Sequence, residues 1–514
     1  MQIASAARCA RALALALLAT AACLHAPQAF ADYSSDTFAP LVLVATGNDD
    51  VQPKVAAAPS DGHYVSLLTG PGYDVAVLRL DKDGKAAWAS PTLVNDRALS
   101  STVDYGFASD GVNAYVAYAT TAGAIQCSAV SPSGAVLWST VTSAGAGNVP
   151  AQVTVASDGF VWVAAIEGSG TRVQRLNPTT GAAQFATPVQ LAETGASQFI
   201  ADIKPSENGA VIVSCVRYAT FTGPKILRAH RVEASGSRPW AANGVSVFTT
   251  GSLQFGNFPP FISDGAGGAY FSWYTTGPLQ CWVQRVNASG AILYGTNGVA
   301  VTSGTAGANR TDPSMLLGAD GKLYVSFTQN TPNTSIYGIF AQCFAKGVRQ
   351  WSDNAATVEP LGGTYSRGWG RVLRNGDGVA VSYNDAPSAV QDNLKCAQLT
   401  AAGAVAGRFD IALNPGSKYR YVAAPAVDGG AVLVWQGVVG TGASDVWASR
   451  INNDGTIGPP PAGVFGDLNG DGVVSAPDLT VLLSQWGGPG SGDLVPNGVV
   501  DAQDIAALLS AWTQ

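Results

Sequence analysis

One turn dipeptide, Asp-Gly or Asn-Gly, returns eight times in this 514-residue chain, at Asp61, Asp110, Asp158, Asn208, Asp264, Asp320, Asp377 and Asp428. Successive spacings are 49, 48, 50, 56, 56, 57 and 51 residues. A period of that size belongs to stacked or radial arrays, in which one unit cannot bury its apolar face alone. After each turn comes a strand-like triplet: Val65-Ser66-Leu67, Val116-Ala117-Tyr118, Val163-Ala164-Ala165, Val213-Ser214-Cys215, Phe271-Ser272-Trp273, Val325-Ser326-Phe327, Val381-Ser382-Tyr383 and Leu433-Val434-Trp435. β-Branched and aromatic residues in alternation are a strand signature. A small middle residue in seven of the eight copies predicts close approach of neighbouring sheets.

Each unit continues with a strand ending in Arg or Gln five residues before a turn glycine, as in Arg79/Gly84, Arg231/Gly236, Arg285/Gly290, Gln342/Gly347 and Arg450/Gly455. An aromatic follows four residues later at Trp88, Trp138, Phe185, Trp240, Tyr294 and Trp351. About 50 residues with this content make four short strands, the size of one blade of a β-propeller. The last unit runs into Pro459-Pro460-Pro461 without a fourth strand, and Pro40–Val44 is a spare strand before the first. That spare strand is expected to complete the last blade and close the ring. The expectation is an all-β ring of eight blades, or seven if one unit is degenerate, over residues 32–457. The repeats loosely resemble secreted bacterial propeller repeats with a D-G…R-V-x-x-x-G…W layout, a resemblance that implies no activity.

Arg8 and Arg11 precede the apolar run Ala12–Leu24, and Ala29-Phe30-Ala31 offers a small-residue cleavage site. Residues 1–31 are therefore expected to be a secretory signal peptide, and the mature protein to be extracellular or attached to a cell surface without a transmembrane segment. Removing the two arginines from 28 basic residues leaves 26 against 35 acidic ones, a balance of −9. That charge, without a basic cluster, argues against nucleic acid as a partner. Five cysteines remain (Cys127, Cys215, Cys281, Cys343, Cys396), and the odd number favours buried thiols over a disulfide scaffold.

Beyond a Pro-rich linker at 458–464, a 12-residue loop is written twice. The first copy runs from Asp467 through Asn469, Asp471, Gly472, Val473 and Ser475 to Asp478; the second runs from Asp493 through Asn497, Gly498, Val499 and Asp501 to Asp504. Oxygen side chains at positions 1, 5, 9 and 12, glycine at 6 and a backbone carbonyl at 7 form the ligand pattern of an EF-hand-type calcium loop. Position 3 is Asn469 in the first loop and Val495 in the second, which leaves the second loop one side-chain oxygen short. Leu479, Leu482, Leu483 and Trp486 follow the first loop at helical spacing; Ile505, Leu508, Leu509 and Trp512 follow the second. Residues 465–514 thus resemble a type I dockerin, a pair of loop–helix repeats whose loops end in Asp. The resemblance implies calcium as the bound ion and docking onto a cohesin-like or cell-surface protein, often in polysaccharide-degrading assemblies. The chain departs from that family at loop positions 10 and 11, Ala476-Pro477 and Ala502-Gln503, where cohesin-binding members carry Ser or Thr. A Lys-Arg pair is also missing, since the first helix reads Leu482-Leu483-Ser484-Gln485.

Signals for catalysis are sparse. Two histidines, His63 and His230, follow the signal segment, and neither a G-x-S-x-G nor an H-E-x-x-H pattern occurs; both histidines are expected to be structural or solvated. A glycosidase requires two carboxylates facing one sugar; Glu167, Asp385 and Asp445 are candidates in expected loops. Tyr118, Trp273, Tyr383 and Trp435 share one repeat position, where packing between blades is favoured over a sugar-stacking channel. The expected function is that of a secreted, non-catalytic binding or display protein whose ring recognises a glycan or a protein. Alternatives are a polysaccharide-degrading enzyme carried by the calcium module, or a structural extracellular protein.

Overall fold

The Asp-Gly turns leave the chain no choice but to double back, and each unit builds its own antiparallel sheet. The computed structural model describes residues 32–513, apart from 96, 98, 145–146, 255, 305–306, 364, 376–377, 441, 461–464, 470–472 and 496. The expected signal peptide and the turn residue Asp377 lie outside the described residues. Eight sheets follow one another as eight blades; no unit is degenerate, and the seven-blade alternative fails. Blade 1 is typical, with strands Val51–Ala57, His63–Thr69, Asp74–Leu80 and Thr92–Asn95 in consecutive order. Blade 6 departs from four strands, because Val348–Arg349 and Ala356–Gly363 both pair with Ile336–Ala345.

Leu41–Val44 leaves the N-terminal segment and pairs with Ser444–Ile451, Leu41 opposite Ala448 and Val44 opposite Val446. The spare strand thus completes blade 8, as its sequence predicts. Eight apolar clusters lie between blades, one at each junction of the ring. Tyr64, Val116 and Tyr118 pack between blades 1 and 2, and Leu43, Val65, Leu67 and Val434 pack between blades 8 and 1. The small triplet residues face the first strand of the next blade: Ser66 Oγ lies 3.1 Å from the Tyr105 hydroxyl, and a Cβ on Gly370 would come 3.1 Å from Ser326 Oγ.

The recurring aromatic reaches across a blade junction. Trp88, Trp138, Phe185, Trp240, Tyr294 and Trp351 lie on Gly134, Gly181, Gly236, Gly290, Gly347 and Gly403, the turn glycines of the following blades. The indole N–H of Trp88 donates to the Pro132 carbonyl at 2.8 Å, and Trp138, Trp240 and Trp351 repeat this bond to Pro178, Ala288 and Ala401. Gly181 shows why the turn must be glycine: its φ is +72°, and a Cβ would sit 2.7 Å from the Trp138 ring. Blade 7 has Gly407 where the aromatic should stand, and Gln398 fills the junction against Gly455 instead. At the closing junction Tyr33, buried, takes the aromatic's place on Gly84, and its backbone N–H donates to Asp83 at 2.7 Å.

The arginines and glutamines before the turn glycines take several partners: Arg79 donates to the Pro59 and Pro132 carbonyls, and Arg231 pairs with Glu233 at 2.8 Å. Arg175, Arg285 and Arg450 pair with the turn acids Asp158, Asp264 and Asp428 of their own blades. Gln342 belongs instead with Gln174 and Gln284, each of which brackets the backbone of an aromatic; Gln342 accepts from the Trp351 N–H at 3.1 Å and donates to Ser352. Counting back from Gly347 slips by one residue because that turn is a two-residue hairpin, with Lys346 and Gly347 both at positive φ.

Each C-terminal loop leads into one helix, Ala476–Ser484 and Ala502–Ser510, started by the capping boxes Ser475/Asp478 and Asp501/Asp504. Val474, Leu482, Val500 and Leu508 form their shared core. Only one of each helical quartet is fully buried; Leu483, Trp486, Leu509 and Trp512 are exposed.

Tyr33→Ala should remove the closing contact and cost about 3–5 kcal/mol, the range for deleting a large buried ring. Tyr33→Phe should cost far less, because the buried hydroxyl meets no hydrogen-bond partner among the described residues. Denaturant unfolding of the three proteins measures both; equal stability of Tyr33→Ala and the parent would refute this account of closure.

Candidate functional site on the inner wall of the ring

The first strands of neighbouring blades lie side by side and form the inner wall. In four blades that strand carries an extra residue opposite the large member of the triplet. Gln52-Pro53 oppose Leu67, Asp312-Pro313 oppose Phe327, Trp369-Gly370 oppose Tyr383, and Arg420-Tyr421 oppose Trp435. A bulge of this kind breaks the ladder and re-aims a side chain. The leading residue is left-handed each time, at φ +53°, +53°, +52° and +48°. For residues other than glycine that conformation costs about 1–3 kcal/mol, and such strain concentrates at functional sites.

Two cavities open along these bulges. One of about 380 Å³ is lined by Lys204, Phe261, Tyr274, Asp312, Trp369 and Arg371, among others. A second of about 420 Å³ is lined by Trp369, Arg371, Tyr419, Arg420, Tyr421 and Gln436. Trp369 and Arg371 belong to both, so one indole edges two neighbouring spaces. Trp369 is 44% exposed and Tyr419 42%, so both leave a large aromatic face open at the cavities they line. Arg371 lies 5.5 Å over the Tyr421 ring. Neither Arg371 nor Arg420 makes an ion pair among the described residues, whereas Lys204 is bound to Asp202 at 3.1 Å. Burial pushes the Asp312 carboxyl above the ordinary range, against the opposing pull of Thr311 and of the nearby Arg371 charge.

The carboxylates singled out in the sequence line neither cavity. Glu167 ends a strand of blade 3, 2.6 Å from Arg172, and accepts from the Ser143 hydroxyl. Asp385 lies within a strand of blade 7 between Arg367 and Lys395, each at 2.9 Å. Asp445, on a strand of blade 8, is pushed up by burial and by the charge of Asp50. All three sit on strands rather than in the expected loops. Tyr118, Trp273, Tyr383 and Trp435 are buried between blades, as core packing predicts. All five cysteines are buried free thiols. His63 meets the Pro425 carbonyl at 3.2 Å and His230 the Gln198 side-chain oxygen at 2.8 Å, both inside the fold. Sequence reasoning missed Trp369, Arg371 and Arg420. The available signal was Trp369, Arg420 and Asp312 standing eight residues before Asp377, Asp428 and Asp320, with Gln52 nine before Asp61.

In the second C-terminal loop, Asp493 accepts from the N–H groups of Asn497 and Gly498, and the Asn497 amide donates to Asp501 at 3.2 Å. The position-12 acids are turned onto backbone: Asp478 accepts from Leu468, Asn469 and Ser475, and Asp504 from Val495 and Asp501. Burial raises the Asp478 carboxyl, but those amides outweigh it and hold it below the usual range. Asp467, Asn469, Val473 and Ser475 lie in the first loop and Val499 in the second, while Asp471 lies outside the described residues. The donors are oxygens throughout, a composition that fits a hard cation. Among the described residues no three His, Cys, Asp or Glu side chains form a ready metal cluster, and no helix is long and apolar enough to cross a membrane.

No family model and no curated protein matches the sequence. Solved structures share the chain path distantly. A polysaccharide lyase of family PL25, an ulvan lyase bound to -[GlcA(1-4)Rha3S]-, has 10% identity and a TM-score of 0.45, covering 78% of this chain and 93% of its own. A eukaryotic initiation factor has 11% identity and a TM-score of 0.41 over 83% and 94%. The GH93 α-L-arabinofuranosidase of Fusarium graminearum has 10% identity and a TM-score of 0.36 over 58% and 92%. These likenesses assign no chemistry to this chain.

His230 generates a pH prediction. Burial, with Arg238 and Arg228 nearby, lowers it from 6.5 to about 3. The unfolded chain therefore binds a proton near pH 6.5 that the folded chain refuses until about pH 3. Stability should fall as pH drops through that window, by about 1.4 kcal/mol per pH unit from this residue. Denaturant titrations from pH 7 to 4 should show a shallower decline in His230→Gln; parallel declines would refute the assignment.

Proposed function

We propose that this is a secreted binding protein that recognises a glycan on the inner wall of its propeller and is attached through a calcium-dependent C-terminal module. One observation carries the reading: Trp369, on a bulge held at an energetic cost, and Tyr419, next to the bulge at Arg420, present open aromatic faces beside arginines. A purely structural ring would give no reason for that strain. A two-carboxylate glycosidase is disfavoured, since Asp312 is the one carboxylate among the described residues lining the two cavities.

At the other end, Asp467, Asn469, Asp471, Ser475 and Asp478 of the first loop and Asp493, Asn497, Asp501 and Asp504 of the second would hold calcium, with the carbonyls of Val473 and Val499. Acids brought this close repel one another until a cation offsets their charge, so metal binding is coupled to folding there. The exposed Leu483, Trp486, Leu509 and Trp512 offer an apolar face for a cohesin-like or cell-surface partner. The residues that replace the family's Ser/Thr and Lys-Arg contacts imply that the partner differs from the usual cohesins.

Two outcomes are expected. Chelation should open residues 465–513 to protease while the ring stays resistant, and Asp467→Ala with Asp471→Ala should reproduce the effect; equal cleavage with and without calcium would refute the metal. On immobilised polysaccharides the protein should be retained without releasing reducing ends, and Trp369→Ala should lower retention about tenfold or more, equivalent to about 1.4 kcal/mol. Steady release of reducing ends or unsaturated sugars would make it an enzyme instead.

A further inference from the structure

The charge at the inner wall runs against that of the whole chain, which is −7. The two cavities are lined by Lys204, Arg371 and Arg420 with Asp312 as the opposing acid. Asp202 neutralises Lys204 from behind, at 3.1 Å. Asp312 offsets Arg371 in part, being near enough for its carboxyl to feel that charge. Arg420, exposed and without an ion pair among the described residues, is left in excess at the second cavity. A guanidinium presents a planar fork of donors that matches a carboxylate or sulfate with two parallel hydrogen bonds.

Given the reading of this wall as a glycan site, on which this step rests, we infer that its ligand is an acidic polysaccharide, with sugar rings against Trp369 and Tyr419 and their carboxylate or sulfate groups taken by Arg371 and Arg420. An acidic peptide carries the same charge but would bind differently. One common way for an extended peptide to attach is to add a strand to a free sheet edge. Here the inner strands of blades 1, 6, 7 and 8 are each interrupted by a two-residue bulge with a left-handed residue, so an uninterrupted ladder cannot form along them. Recognition falls to side chains, flat aromatic faces and forked cations, which suits a pyranose polymer. The two cavities, each toward the lower end of the roughly 300–1,000 Å³ usual for ligand pockets, meet at Trp369. That indole therefore separates two sugar subsites rather than flooring one deep pocket.

The test uses the full chain with calcium and four polymers: dextran, dextran sulfate, polygalacturonate and poly-L-glutamate, each followed by affinity electrophoresis at low and high salt. Dextran sulfate or polygalacturonate should be retained at least tenfold more tightly than dextran and poly-L-glutamate. Arg420→Gln should remove about tenfold of that preference and flatten the salt dependence. Arg420 is exposed, so its variant should fold; Arg420→Lys, which keeps charge and loses the fork, should fall between. Thermal melts of each variant verify the ring. If dextran is held as tightly as its sulfate and Arg420→Gln changes nothing, the inference about charge is overturned while the glycan reading stands. If Trp369→Ala and Tyr419→Ala alter retention of no polymer, or nothing binds, the glycan reading falls with it. Retention of poly-L-glutamate equal to that of polygalacturonate would overturn the glycan in favour of an acidic peptide.

Discussion

The contact that governs this molecule is an aromatic ring laid on a bare glycine. It appears at seven of the eight junctions, six times from within the repeats and once through Tyr33. The glycine serves twice, once by accepting a positive φ at the tip of its turn and once by letting a neighbour's ring lie flush on the backbone. Between these outer contacts and the centre, each junction is filled by residues from two blades, so no sheet has a core of its own. Stability is a property of the junctions, and a ring has as many junctions as blades only when it is closed.

Closure in turn releases the inner strands from a purely structural duty. With the outer edge fastened by rings on glycines and the middle packed by the triplets, the first strands of blades 1, 6, 7 and 8 can carry bulges that a free-standing sheet would resist. The large third residue of the triplet (Leu67, Phe327, Tyr383 or Trp435) is what each bulge spans. In blades 7 and 8 a buried residue and an exposed one are thereby coupled: Tyr383 lies opposite Trp369, and Trp435 opposite Arg420.

Much of the fold was legible in the sequence because a repeat averages out local accidents. Eight turns in phase gave the blade count, and the missing last strand beside the spare Leu41–Val44 gave the closure. What escaped was whatever the repeat does not repeat. Tyr33 lies outside every unit, so nothing marked it as the substitute for an absent aromatic. Gln342 was set in the wrong row because a turn was one residue shorter. Trp369 and Arg420 were invisible as a pair because their repeat position is occupied by four different residue types, Gln52, Asp312, Trp369 and Arg420; what these share is a backbone conformation, which composition does not encode, and Arg371 stands two residues beyond it. Carboxylates such as Glu167 and Asp385 drew notice by type alone, and their arginine and lysine partners account for them as ion pairs.

The strand Leu41–Val44 and the ring of Tyr33 have an implication for the order of events during synthesis. They are among the first described residues to be made; Tyr33 meets Gly84 about 50 residues on, yet the partner of Leu41–Val44, Ser444–Ile451, comes about 400 residues later. At the roughly 5–20 residues per second of translation, an apolar strand with an open edge waits for some tens of seconds while seven blades assemble behind it. Unpaired edges of this kind recruit other chains. The chain's most exposed moment is thus the interval before its two ends meet, and a cell making it in quantity must shelter the beginning until the end arrives.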